Sequence, residues 1–197
     1  MDRRSALKRT GILAGATLAL PTALSLLQAC QSENRPEWTP EFLTAEEALL
    51  VSSLVDTLLP RTDTPGGLDV KADMFMDKVF ARTYDAQSQQ YLRENLASLD
   101  EACIAGYGEA FADLGETDRE AFLKEEEARG GSFNPGVWGT SVGEQEPVSF
   151  YRNLKSMVVW AYVTSEEVGK NVLSYDPVPG AYKGCIPLSD VGYRWSL

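Results

Sequence analysis

The chain has no histidine among its 197 residues, and this absence excludes several kinds of chemistry at once. Without imidazole there is no Ser-His-Asp or Cys-His catalytic set and no histidine-ligated metal. A haem would lack a histidine ligand, and no Cys-x-x-Cys-His run exists to attach one. No Gly-x-Gly-x-x-Gly follows a candidate strand and no phosphate-binding loop is present, so a self-contained flavin or nicotinamide domain is not expected. Internal repeats and low-complexity tracts are also missing. Basic residues are in deficit, 18 against 29 acidic, for a net charge of −11. Arg3, Arg4, Lys8 and Arg9 against Asp2 make residues 1–29 net +3, which leaves −14 for the remainder. So acidic a surface does not attract nucleic acid or an anionic lipid face. It suits a basic partner, or serves only to keep the domain solvated.

Residues 1–29 read as a targeting segment. Arg3-Arg4 within Asp2-Arg3-Arg4-Ser5-Ala6-Leu7-Lys8 resembles a twin-arginine motif, and an apolar run from Gly11 to Leu27 follows, interrupted by Pro21. An ordinary secretory signal or a membrane anchor are the alternatives, the run being short and glycine-rich for a bilayer that needs about 20 apolar residues. Leu27-Gln28-Ala29-Cys30 resembles a lipobox, which would make Cys30 the lipidated residue; the alternative is plain cleavage nearby. Each buried methylene of an acyl chain would contribute roughly 0.8 kcal/mol to membrane attachment. Residues 30–41 would then be a polar tether and residues 42–197 the folded domain. One domain of about 165 residues buries a real core. Its two cysteines, Cys103 and Cys185, could form a bridge in an oxidising compartment, worth on the order of 4–5 kcal/mol in the chain-entropy view. Two buried thiols, or a Cys185 covered by a partner, are equally open. Neither has the neighbours of a zinc site.

Along the domain the apolar spacing is helical. Thr44 and Glu47 form a capping box for a helix over 42–59, with Leu50, Val51, Leu54, Val55 and Leu58 inward. Residues 61–67 are a loop by their turn chemistry. A second helix, 70–82, is expected to bury Met74, Phe75, Val79 and Phe80 and to leave Asp73 and Asp77 in water. Asp63, Asp69, Asp73 and Asp77 lack the spacing of a calcium loop. Asp85 caps the longest helix, which turns Leu92, Leu96, Leu99 and Cys103 inward, with Tyr107 and Phe111 continuing the face. Thr117 to Glu120 form another capping box before a short charged helix that contributes Phe122 and Leu123. A glycine-rich loop around Trp138 then leads to Pro147, at the first turn of the next helix. There Phe150, Leu154, Met157, Val158 and Ala161 make a stripe, and residues 157–163 are apolar all round. Such a helix is either enclosed by its own domain or covered on one side by a second protein. The fold class is therefore all-α: a single irregular domain of five or six helices.

The densest local specification is Thr164 to Leu188. Thr164 to Glu167 read as a capping box, and Asp176-Pro177-Val178-Pro179-Gly180 is a rigid turn no helix can cross. Ala181 to Leu188 should be an extended wrap. Tyr162, Thr164-Ser165-Glu166, Gly169, Tyr175-Asp176-Pro177-Val178-Pro179-Gly180, Tyr182 and Gly184-Cys185-Ile186-Pro187-Leu188 resemble the C-terminal signature of the gluconate 2-dehydrogenase subunit 3 family. The resemblance implies a small, twin-arginine-exported periplasmic or envelope subunit that accompanies a larger flavoprotein of the glucose-methanol-choline class. That partner would hold FAD and the catalytic residues and oxidise a sugar, sugar acid or other alcohol, a cytochrome c subunit being a further candidate partner. Tyr162, Tyr175, Asp176, Pro177, Pro179, Gly180, Tyr182 and Gly184 are the expected partner-facing residues, unless they only build the local fold. Two other readings compete: a free-standing helical envelope lipoprotein that binds a small ligand or scaffold, and a carboxylate-based hydrolase using runs such as Glu125-Glu126-Glu127 or Glu166-Glu167.

Overall fold

In the computed structural model, residues 38–131, 136–137, 140–141, 147–175, 180 and 185–192 are described. Thr44 starts the first helix, α1 (Ala45–Leu58), by the expected reciprocal cap: its hydroxyl accepts the Glu47 amide (3.2 Å) while Glu47 accepts the Thr44 amide (2.8 Å). Leu50, Val51, Leu54 and Val55 are buried. The chain then turns back on itself, the Gly67 amide donating to the Leu59 carbonyl (2.8 Å). A Cβ on Gly67 would lie 2.6 Å from the Val55 side chain, so only glycine lets the loop pass this close to α1.

The next helix, α2 (Ala72–Thr83), departs from expectation in its rotation. Asp73 and Asp77 are fully buried with Ala72, Met76 and Phe80, whereas Phe75 is exposed. The physical reason is the chain segment ahead of α1. The Asp77 carboxylate accepts the amides of Glu41 (2.7 Å), Phe42 (3.1 Å) and Leu43 (2.9 Å), and Asp73 accepts the Ser52 hydroxyl (2.6 Å). Donors from outside the helix thus make an inward carboxylate tolerable, and apolar spacing within the helix carries no trace of them.

Helix α3 (Ala86–Tyr107) follows the expected cap and face. Asp85 accepts the Ser88 amide (2.8 Å), and Leu92, Leu96, Leu99 and Cys103 are buried. It stops at Gly108 in the left-handed conformation (φ 85°), so Phe111 reaches the core from a separate 3₁₀ turn, Phe111–Asp113. Helix α4 (Glu116–Arg129) begins before the expected capping box: Gly115 is its N-cap, without a side-chain bond, and Thr117 lies inside the first turn. Arg119 explains the shift, since its guanidinium donates to the carbonyls of Phe111 and Ala112 and holds that turn onto the preceding one. Phe122 and Leu123 are buried as expected.

A two-residue antiparallel pairing, β1 (Gly136–Val137) with β2 (Thr140–Ser141), is the one ladder among the described residues. Helix α5 (Phe150–Val163) is capped by Ser149, which accepts the Arg152 amide (3.3 Å); Pro147 therefore sits before the cap rather than in the first turn. The following cap is also one residue later than expected. Ser165, not Thr164, starts α6 (Glu166–Asn171), because the Thr164 hydroxyl donates back to the Trp160 carbonyl (2.7 Å) at the end of α5. A last turn, α7 (Leu188–Val191), begins at the final residue of the expected extended wrap; residues 185–187 are not helical, and 181–184 lie outside the described residues. Helix α2 packs on both α1 and α5, and α1 also meets the 3₁₀ turn, α4 and α5. The fold is an all-α domain with one apolar core shared by these elements.

Candidate functional site

Helix α5 packs on one side only. Tyr151, Leu154, Val158 and Ala161 are buried, while Val159 and Trp160 are exposed, Trp160 by 48%. The expectation that this helix is either enclosed or covered on one side by a second protein is thus narrowed, because its own domain leaves one face bare. Phe75 of α2 joins that face, its ring centroid 5.3 Å from that of Trp160. The sequence pointed to α5 through its all-round apolar run. It gave no signal for Phe75, which helical spacing assigns to the core once Asp73 and Asp77 are assumed to be wet.

Behind Trp160 the surface dips into a groove of about 600 Å³ between α2, α3 and α5. Phe80, Leu92 and Leu154 form its buried floor, and Tyr84, Tyr91, Phe150, Met157 and Trp160 its walls. The rings interlock edge to face, Phe80 with Tyr84 at 5.3 Å and Tyr91 with Phe150 at 6.3 Å. Its remaining lining residues are Ser88, Asn153 and Ser156, so no charged side chain lines it. Partial burial raises the Tyr84 hydroxyl pKa. That phenol stays protonated at neutral pH and offers a neutral hydrogen bond.

The residues singled out in the sequence are scattered by comparison. The Tyr162 hydroxyl donates to the Pro65 carbonyl (2.8 Å), tying α5 to the loop before α2. Tyr175 is 43% exposed, and Gly180 is exposed. Ile186 and Leu188, beside them in sequence, are also exposed, Leu188 by 86%. Arg3, Arg4, Cys30, Trp138, Asp176, Pro177, Pro179, Tyr182 and Gly184 lie outside the described residues.

Cys103 and Cys185 are both free: the first is buried in α3, the second exposed near α7, so the bridge left open by the sequence is not formed. Burial, with Asp100 nearby, pushes the Cys103 thiol up to about 11, which keeps it an unreactive core group. The carboxylate runs lie in ion pairs rather than a pocket. Glu125 and Glu126 meet Arg129, Glu127 meets Arg152 and Lys155 at 2.9 Å each, and Glu166 meets Lys170 at 2.7 Å. The bond to Lys170 also lowers the Glu166 pKa. Among the described residues no helix is long and apolar enough to cross a membrane, and no group of three or more acidic or cysteine side chains could hold a metal ion.

No curated protein and no solved structure is significantly similar to the chain. Residues 45–180, which run from the first turn of α1 to Gly180 beyond α6, match the family described as gluconate 2-dehydrogenase subunit 3, and the chain belongs to that family.

Proposed function

We propose that this chain is a non-catalytic small subunit that binds and stabilises a larger FAD-dependent dehydrogenase, helps export it, and holds it at the membrane. The observation that carries the reading is membership, over residues 45–180, of a family of dehydrogenase subunits. Two features support it. The chain has no dinucleotide-binding fingerprint, which suits a division in which the partner holds FAD and oxidises a sugar, sugar acid or other alcohol. An aromatic surface that its own domain leaves uncovered on α2 and α5 suits a chain whose working state is a complex. Arg3 and Arg4 fit twin-arginine export, a route for proteins already folded around a cofactor, and a lipidated Cys30 would keep the complex at the membrane. A cytochrome c subunit is a further candidate partner for the complex, and this chain has no histidine to offer a haem.

The groove favours one alternative, a free-standing envelope lipoprotein, because its volume falls in the range of roughly 300–1,000 Å³ usual for small-ligand sites. One purification separates the two. The chain is tagged at its C-terminus and extracted from the native host's envelope in mild detergent, and the visible spectrum of what co-purifies is recorded. A stoichiometric larger chain with oxidised-flavin absorbance, bleached by a sugar or alcohol, is the expected result. A colourless single species with an accessible tag would overturn the subunit reading and leave the lipoprotein.

A further inference from the structure

The outer ridge of α2 carries an arrangement of charge that nothing in the fold requires. Five lysines fall among the described residues: Lys71, Lys78, Lys124, Lys155 and Lys170. The last three each hold a carboxylate at 2.7–2.9 Å, whereas Lys71 and Lys78 form no salt bridge among the described residues. This is unexpected in a chain with 29 acidic side chains, where a lysine left without a close carboxylate is the exception. Lys78 does act through space on Glu41, but that carboxylate is held by Arg82 in a two-point pair of 2.8 and 3.0 Å. Phe75 and Lys78 lie three residues apart on α2 and Lys71 is the helix's left-handed N-cap (φ 60°), so the two exposed lysines flank Phe75 along the chain. Phe75 in turn stacks on Trp160, whose other side opens on the uncharged aromatic groove.

We infer that the larger oxidoreductase subunit docks here: an apolar segment of it fills the groove and covers Trp160 and Phe75, and carboxylates beside that segment pair with Lys71 and Lys78. The inference rests on the subunit reading above and adds to it the surface and the chemistry of the contact. Complementarity of charge selects the occupant. An uncharged groove lined by tyrosine, phenylalanine, methionine and tryptophan has the composition of an interface centre, and two exposed lysines without a salt bridge among the described residues, on the helix that also carries Phe75, select an acidic flank. A second copy of this chain fits less well, because two chains of net charge −11 repel.

The test uses the full chain, tagged and purified from the native envelope with its flavoprotein. Two independent sets of variants are compared with wild type: Lys71→Glu with Lys78→Glu, and Phe75→Ser with Trp160→Ser. All four side chains are exposed, and unchanged thermal melts of the purified full chain show that each set folds. Each set should lower the recovered flavin absorbance per tagged chain by about tenfold or more, while Ile104→Ser, an exposed apolar position on α3, leaves it unchanged. Raising salt should weaken the wild-type complex more than the lysine-reversed one. Undiminished recovery in both sets, or loss only on changing Tyr175 and Leu188, overturns the docking surface while leaving the subunit reading intact. A wild-type chain that brings down no flavoprotein overturns both. Self-association of the free chain that Trp160→Ser abolishes would reassign the ridge to a second copy, and release from membranes without loss of flavoprotein would reassign it to lipid.

Discussion

The two faces of α2 distribute charge and apolar surface in opposite senses. On the inner face, Asp73 and Asp77 have no solvent exposure; on the outer face, an aromatic ring stands between two lysines in water. A buried carboxylate is costly unless its oxygens are filled, and Asp77 meets that condition with three backbone amides from the segment that leads into α1. Around this contact Arg82 pairs with Glu41, while Arg93 reaches both Glu47 and the Phe42 carbonyl and lies 4.3 Å above the Phe42 ring. The inner face is therefore a polar fastening that fixes where the chain enters its fold. The outer face makes one ring contact within the chain, Phe75 on Trp160, and no salt bridge from Lys71 or Lys78 among the described residues. The inner face thus joins two bonded carboxylates to the buried Ala72, Met76 and Phe80, and the outer face leaves a ring and two lysines available to another molecule.

This contrast breaks most clearly at Asp77. Asp77→Ala would leave three amide donors without their acceptor, at about 1–3 kcal/mol for each that is buried. Urea denaturation should show a loss on the order of 3–5 kcal/mol, and a loss below about 1 kcal/mol would mean that water replaces the carboxylate and the fastening is incidental. Next in size is Gly67→Ala, which tests whether the turn sets the rotation of α2. A methyl group there would meet the Val55 side chain at 2.6 Å, and the same denaturation should show about 1–3 kcal/mol of destabilisation. An unchanged midpoint would show that the loop has room to shift.

Smaller effects are expected from pH. Glu41, bonded to Arg82, Asp85, bonded to the Ser88 amide, and Glu166, bonded to Lys170, all have pKa values below the ordinary 4.5 or 3.8. Because the folded value is the lower one, their stabilisation is present above the ordinary pKa and disappears as pH falls through the folded value. Melting temperature should therefore decline only below about pH 4.5. At the alkaline end the sign is opposite. Burial pushes Cys103 up to about 11 and Tyr151 up to about 12, so stability present below the ordinary 9.0 and 10.0 is lost as pH rises beyond them. A transition near neutrality would contradict this, since no histidine is available to titrate there. The smallest effect belongs to the outer face: Lys71→Ala with Lys78→Ala should change stability by less than about 0.5 kcal/mol. A larger loss by thermal melt would show that the ridge serves the fold after all.

Much of the architecture was legible in the sequence because its signals are local. The Thr44 box, the Asp85 cap and the 92-96-99-103 face each depend on residues within a few turns, and each is present in the structure. The α4 cap lies two residues earlier than expected and the α6 cap one residue later, each where a side chain acts across an element boundary, as Arg119 does on the 3₁₀ turn and Thr164 on the end of α5. At the candidate surface only α5 announced itself, through an apolar run too wide for a single core face. Phe75 and its lysines were hidden, because the rotation of α2 depends on amides 34–36 residues earlier in the chain.

By itself the sequence determined that this is an acidic, helical chain without histidine chemistry or a cofactor fingerprint, and its C-terminal signature pointed to the family whose match spans residues 45–180. Those are properties of composition, of short-range spacing and of residue identity. Only the tertiary structure decided which face of α2 is buried, that Cys103 and Cys185 stay apart, and that Phe75 meets Trp160 beside an uncharged groove. These depend on contacts between segments far apart in the chain, where a few directional hydrogen bonds to a buried carboxylate outweigh the periodicity of the helix that carries it.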